Sequence, residues 1–379
     1  MIRFINELGP TSTTTHQFSF YRAKQYPFEA QYFVVWKPVE DLTLQPYIIH
    51  DEKRLPQSHN GKIRIYPCGR SHYTMMRTVR RLLRQLRAEG VPTVVHLHSP
   101  TAGLIFHLSK VGISHVPTIY TMHNVYGRYS VRNRILTSMN MCLANRSTCV
   151  SEAGYYSLPQ FLRRTVADKI ITVPNGVNLD AVDSFLSSLP AGHNSAQRAE
   201  KSFRLANVAR MNSAKNQSFL LHALSKLPRH LSLTFVGDGP ERRTLERTVT
   251  HLNLADRVRF TGLLAREKVY REILDADLLV SSSRFEGLPI AVLEAMALAK
   301  PVLLSDIGPH REIARHNPVI PLLPANRIDA WIQAIRAAVD AAPQHLAEQG
   351  ATNRKTVERH FSLKRMHEAY TEIYQDLWR

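Results

Sequence analysis

The chain has 379 residues, 44% hydrophobic and 21% charged. That length suits two or three folded domains and excludes a disordered chain, a collagen-like rod and a small disulfide scaffold. Lys and Arg number 49 against 31 Asp and Glu, a net charge of +18. The excess is uneven: residues 1–175 hold 22 basic and 9 acidic side chains, the remainder 27 and 22. A half that basic attracts polyanions, whether nucleic acid, an anionic membrane surface or phosphorylated substrates. Cys68, Cys142 and Cys149 are few, odd in number and without ligand spacing. Neither a disulfide framework nor a zinc site is expected, and a reducing cytosol fits. Residues 1–10 lack the charged and apolar regions of a signal peptide. The most apolar stretch, 288–305, carries Glu294 and Lys300, so any membrane contact is expected to be peripheral.

In chain order, apolar runs predict strands at 2–6, 31–36, 62–66, 94–97, 118–121, 146–150 and 170–173. A second series follows at 203–208, 231–236, 258–261, 278–281, 302–305 and 319–322. Helical patterns fit between most of them. Strand–helix alternation implies parallel sheets, and two series imply two doubly wound α/β domains. Such sheets bind ligands at the carboxyl ends of their strands. The turn Pro174-Asn175-Gly176 places the boundary, giving domains 1–174 and 175–360. Residues 187–200 read as a polar surface loop, and 361–379 as an amphipathic helix.

Two segments of the basic half draw the eye. On the helical pattern 75–87, Arg77, Arg80, Arg81, Arg84 and Arg87 share one arc of about 120°, opposite Val79, Leu82, Leu83 and Leu86. The leucines suit any surface helix; five arginines without an acid suit docking on an anionic leaflet or a phosphate-bearing lipid. No zinc finger, RNP-like pattern or basic tail supports nucleic acid. His96 and His98 close one strand candidate and His123 closes another, at the ends where ligands bind.

In the second half, Arg284-Phe285-Glu286-Gly287-Leu288-Pro289 follows a strand candidate and opens a helix containing Glu294. Gly287 permits close approach to the backbone. Pro289 suits a first helical turn, and free N–H groups there favour a phosphate or sugar hydroxyl. Glu286 and Glu294 can hold two separate polyol groups, or serve merely as a helix-terminal charge and a solvated one. Arg210 and Lys215 follow a strand candidate, where they could clamp a diphosphate or simply be surface cations. Gly237 and Gly239 make a tight strand-to-helix turn, structural or ligand-facing.

Glu286 and Glu294, eight residues apart, resemble the E-x7-E signature of retaining family 4 glycosyltransferases. Four other segments resemble that family in its order: Pro174-Asn175-Gly176-Val177-Asn178, Ala209-Arg210 through Lys215-Asn216, Val236-Gly237-Asp238-Gly239-Pro240, and Val258-Arg259-Phe260-Thr261-Gly262. The resemblance implies the GT-B fold, two Rossmann-like domains facing across a cleft, with the last helix packing back on the N-terminal one. It implies a nucleotide-sugar donor, UDP- or GDP-linked, on the C-terminal domain and the acceptor on the N-terminal one. His123, Glu286, Arg210 and Lys215 would be catalytic. Gly9, Gly237, Leu263, Leu264, Gly287, Leu288, Pro289 and Glu294 would bind donor, Glu286 holding sugar hydroxyls and Glu294 the ribose. His98 would shape the acceptor pocket. Neither cofactor nor metal is implied. The family's Gly-Gly loop after the first strand is reduced here to Gly9, among residues that also suit helix capping.

The expectation is a cytosolic, membrane-peripheral enzyme on the inner face of the cytoplasmic membrane. It would move a hexose-type sugar, with retention, to a hydroxyl of a lipid-linked saccharide in surface polysaccharide biosynthesis. A hydrolysing nucleotide-sugar 2-epimerase on the same architecture, or a non-catalytic nucleotide-sugar or membrane-binding protein, remains open at this point.

Overall fold

Leu278–Ser281 and Val302–Ser305 are buried at every position, as central strands of a parallel sheet covered on both faces must be. The computed structural model describes residues 2–5, 31–35, 48–49, 63–68, 71–113, 116–190 and 202–378. These divide into two compact units, Met1–Pro174 with Met366–Arg379, and Asn175–Arg365. The last helix, Leu363–Trp378, begins in the second unit and ends in the first. The expected domain edge at 360 therefore differs from the division, which falls inside that helix.

The first unit holds β1 (Ile2–Ile5), β2 (Gln31–Val35), β3 (Ile48–Ile49), β4 (Ile63–Pro67), β5 (Val95–Leu97), β6 (Thr118–Met122), β7 (Arg146–Cys149) and β8 (Ile170–Thr172). They pair in the order β3-β4-β2-β1-β5-β6-β7-β8. Every pairing is parallel. The second unit holds β9 (Phe203–Val208), β10 (Leu231–Val236), β11 (Val258–Gly262), β12 (Leu278–Ser281), β13 (Val302–Ser305) and β14 (Leu322–Leu323). Their order, β11-β10-β9-β12-β13-β14, is the doubly wound Rossmann order. Such a sheet reverses direction at one point and opens a crevice there, at the carboxyl strand ends. The reversal lies between β1 and β5 in the first sheet and between β9 and β12 in the second.

One strand expectation is corrected, and one strand was not expected. The strand predicted at 319–322 is β14, Leu322–Leu323, because Ile320 N–H bonds back to the Asn317 carbonyl and closes a turn there. The short edge strand β3 carries no run that would announce it. The predicted loop 187–200 falls largely outside the described residues.

The arginine-rich pattern is helix His72–Ala88, capped by Ser71 Oγ on the Thr74 N–H. It buries Met75, Val79, Leu82, Leu83 and Leu86 in the first unit's core, with Phe106, Tyr120 and Met141. Arg77, Arg81, Arg84 and Arg87 are exposed. Arg80 departs from the stripe. Its guanidinium donates to the carbonyls of Ser109 (3.2 Å) and Val111 (3.0 Å), at the end of helix Pro100–Ser109. A cation there satisfies orphan carbonyls and complements the helix dipole, so Arg80 belongs to the scaffold.

Candidate active site

The loop after β9 carries Arg210 and Lys215; the loop after β12 carries Glu286. Both leave the sheet at its reversal point, and cross-bonds lock them together. Asn216 sits in the left-handed region (φ 57°) before helix Gln217–Ser225. Its side chain donates to the Ser282 carbonyl (3.3 Å) and the Ala325 carbonyl (3.1 Å). Ser282 Oγ donates to the Lys215 and Asn216 carbonyls, and Arg284 N–H to the Ala214 carbonyl at 2.7 Å. Lys215 Nζ thus meets both carboxylate oxygens of Glu286 at 2.5 Å, and Ser283 Oγ donates to one of them at 2.7 Å. Burial pushes the Glu286 carboxyl up, but the charge of Lys215 and the hydrogen bonds from Lys215 and Ser283 outweigh it. The group is held below the usual carboxylate range. Arg210 is exposed, and its guanidinium makes no ion pair among the described residues.

Glu286, Gly287, Leu288 and Pro289 are buried. The Leu288 carbonyl accepts from Asn175 Nδ2 at 3.0 Å, so the Pro-Asn-Gly segment braces the loop. Pro289 is itself the cap of helix Ile290–Ala297, one position before the turn expected for it. That helix is buried from Val292 to Ala297, so a charge inside it must be compensated. Glu294 is accordingly paired with Arg266 and accepts from the Tyr270 hydroxyl at 3.3 Å. The solvated-charge reading of Glu294 is thereby excluded. Arg266 and Tyr270 escaped the sequence reading because they reach Glu294 from helix Arg266–Asp275, more than one element away.

Gly237 and Gly239 earn their places structurally. A Cβ on Gly237 would lie 2.3 Å from the Ala209 carbonyl oxygen, and one on Gly239 2.3 Å from that of Met211. Gly237 also takes φ +130°, which side chains avoid. The turn thus presses against the loop that carries Arg210. Leu263 is exposed; Leu264 is half-buried and lines a shallow pocket with Phe185, Glu267 and Arg271. A metal-free site goes with the absence of a D-x-D triplet, yet the chain carries one, Asp275-Ala276-Asp277. Its aspartates lie before β12, opposite the ligand-binding strand ends, and the Asp277 carboxylate accepts the Arg204 N–H at 2.8 Å.

The first unit presents different chemistry at its carboxyl strand ends. His98 Nδ1 lies 3.1 Å from His123 Nε2, and the His98 ring stacks on His96 at 3.9 Å. His96 is fully buried, with Nδ1 2.8 Å from the Tyr374 hydroxyl and Nε2 2.6 Å from Thr121 Oγ1. Thr121 meets Thr148 at 2.6 Å, and the Tyr370 hydroxyl reaches both at 3.2 Å. His123 Nδ1 is buried without a hydrogen-bond partner among the described residues. Burial pulls the His123 ring down to about 4, so it is neutral at pH 7. Gly9 lies outside the described residues.

The pattern of the family "Glycosyltransferase Family 4" matches residues 42–181, and that of "Glycosyl transferases group 1" matches 191–356. Together the two patterns cover most of the chain, which is a family 4 glycosyltransferase. EpsF of Bacillus subtilis, which carries the name of a glycosyltransferase, is 27% identical over 315 residues, 78% of each chain. The Escherichia coli UDP-Gal:alpha-D-GlcNAc-diphosphoundecaprenol alpha-1,3-galactosyltransferase is 22% identical over 75% of each. Anabaena HepE, solved with UDP and glucose, superposes with a TM-score of 0.77 at 16% identity over 99% of both chains. The two Rossmann-like domains of this glycosyltransferase are those of the GT-B fold. Among the described residues no helix is long and apolar enough to cross a membrane.

Proposed function

We propose that this glycosyltransferase moves a hexose-type sugar, with retention and without a metal, from a UDP- or GDP-linked donor to a hydroxyl of a lipid-linked saccharide in surface polysaccharide assembly. The carrying observation is the contact of Lys215 with Glu286 at the second sheet's reversal point, on the loop that also presents Arg210. A carboxylate there suits sugar hydroxyls, and two cations suit a diphosphate. Glu294, one turn deeper, suits the ribose. The glycosidic bond breaks with its electrons on the diphosphate oxygen, which Arg210 and Lys215 stabilise. The acceptor oxygen bonds to the same face of the sugar carbon, and its proton passes to the leaving diphosphate. His123, neutral, offers a hydrogen bond to a sugar hydroxyl, and His98 fixes its orientation. The UDP bound to HepE and the diphosphoundecaprenol in the E. coli relative's name support the donor and acceptor classes.

A panel of UDP- and GDP-sugars tests the donor. A ligand at a hundred times its Kd stabilises the fold by about 2.7 kcal/mol, a readable rise in Tm. A panel without effect would overturn the reading. The basic first unit we assign to the inner face of the cytoplasmic membrane. Arg77, Arg81, Arg84 and Arg87 would each contribute about 1 kcal/mol near an anionic leaflet. Replacing these four by Gln should abolish sedimentation with phosphatidylglycerol vesicles at 0.1 M salt; 1 M salt should do the same to the wild type. Binding indifferent to both would leave the stripe an ordinary solvated face.

A further inference from the structure

The hydrogen bonds that hold Glu286 continue past it. Ser283 bonds Glu286 through its hydroxyl, and its carbonyl accepts from Ser305 Oγ at 2.5 Å. The Ser305 carbonyl lies 2.7 Å from Nδ1 of His310, and Ser305 Oγ lies 3.1 Å from the same atom. His310 stands in helix Gly308–Arg315 and has no exposed surface. A carbonyl can only accept, so Nδ1 carries the proton. In the neutral ring Nε2 is then a bare acceptor. It is buried and has no hydrogen-bond partner among the described residues. Buried polar atoms are rarely left so, and an orphan three hydrogen bonds along from a functional carboxylate calls for a reason.

The reason lies in the charges around the ring. Burial disfavours the imidazolium, and Lys215 opposes it as well; Glu286, the Ser305 carbonyl and Asp306 favour it. Asp306 is itself paired with Arg311, which mutes its pull. Burial weighs most; among the charges, Glu286 favours the imidazolium most and Lys215 opposes it. While Lys215 spans both Glu286 oxygens, the carboxylate is compensated and the ring stays neutral. A diphosphate competes for the same ammonium. Once Lys215 is shared with it, Glu286 keeps a buried negative charge that Ser283 alone cannot balance.

We propose that His310 is a positioning residue that takes up a proton at Nε2 when a nucleotide diphosphate draws Lys215 from Glu286, so that donor binding and protonation are coupled. The inference rests on the reading of Lys215 as a diphosphate ligand. The proton comes from solvent, the Nε2 lone pair becomes an N–H, and no other bond changes. The charge of the imidazolium then compensates Glu286 in place of Lys215. It keeps the carboxylate ionised and placed for the donor sugar.

Calorimetry of UDP binding to the full chain, in buffers of different ionisation enthalpy at pH 6 and pH 8, counts the protons exchanged. The titration of UDP itself is common to all proteins compared. Wild type should take up as much as about one proton more at pH 6 than His310→Phe, which keeps the ring volume. The wild-type Kd should rise more steeply from pH 6 to pH 8, by as much as about tenfold per pH unit more than the variant's. His310→Asn, which retains a donor for the Ser305 carbonyl, should behave like His310→Phe. A merely structural histidine would weaken binding on replacement without altering proton count or pH slope. Binding with equal proton exchange in wild type and both variants would overturn the coupling alone. Failure of both UDP and GDP to bind the wild type would overturn the coupling together with the donor reading beneath it.

Discussion

The two sheets reverse in the same way and present opposite chemistry at the place where they do so. In the second unit the loops at the reversal carry full charges, each buried carboxylate met by a cation: Glu286 by Lys215, Glu294 by Arg266. In the first unit the corresponding strand ends carry imidazole rings and hydroxyls, His96, His98, His123, Thr121 and Thr148. Parallel topology fixes where a ligand can lie, and the side chains fix what it can be. Paired charges can be re-paired with an anion, whereas a shelf of rings and hydroxyls that donate and accept hydrogen bonds suits an uncharged polyol.

The sharpest way to break that contrast is at Lys215 and Arg210. Loss of either cation should lower turnover by about a hundredfold or more, as removal of charge stabilisation at a leaving group does. The two should differ in stability. Lys215→Ala leaves Glu286 buried without its cation and should lower Tm, while exposed Arg210→Ala should not. Near wild-type rates in both would end the assignment.

The second test concerns the deeper pair. Glu294→Ala strands Arg266 against a buried helix and should cost about 3 kcal/mol of stability, besides weakening nucleotide binding. Glu286→Ala should spare nucleotide binding while turnover collapses. Calorimetry showing the reverse pattern would exchange the two roles.

Two buried histidines of the first unit, His123 at a strand end and His107 in helix Pro100–Ser109, make a prediction with pH. Burial holds His123 and His107 near 4, against an ordinary 6.5. Between those values the unfolded chain binds protons that the fold refuses, so stability falls as pH drops from about 6.5 to about 4 and levels off below. His107→Phe should remove part of that loss, at most about 3 kcal/mol, in urea titrations across the window. Glu286, held low, acts in the same direction further down: its contribution is present above the ordinary carboxylate range and is lost through its own depressed value. Smallest in effect, Tyr374→Phe removes one hydrogen bond from His96. It should cost about 1 kcal/mol and leave nucleotide binding in the second unit unchanged.

Legibility followed burial. The bounds of β9, β10, β12 and β13 can be read from sequence to the residue because each is a short, mostly apolar stretch between turn and helix signals. β3 cannot, since two isoleucines have no period. The arginines of helix His72–Ala88 could be placed on one face, but periodicity could not show that Arg80 is spent on another helix's carbonyls. Glu286 and Glu294 were visible by their spacing from one another. Arg266, Tyr270 and His310 were not, because what makes them matter is contact across the fold, and a lone histidine or arginine announces none. Asn175 and Asn216 stood inside quoted motifs, yet only the structure shows them bracing the loops rather than facing a ligand.

The discontinuity of the first unit bears on the order in which the molecule can be made. Its sheet is encoded by the first 174 residues, but Tyr370 and Tyr374, which bond His96, Thr121 and Thr148, belong to its final segment. A ribosome releases the whole second unit before it releases those hydroxyls. Until Tyr374 emerges, His96 Nδ1 lacks its hydroxyl partner, so the buried network of the first unit can close only after the second unit has been synthesised.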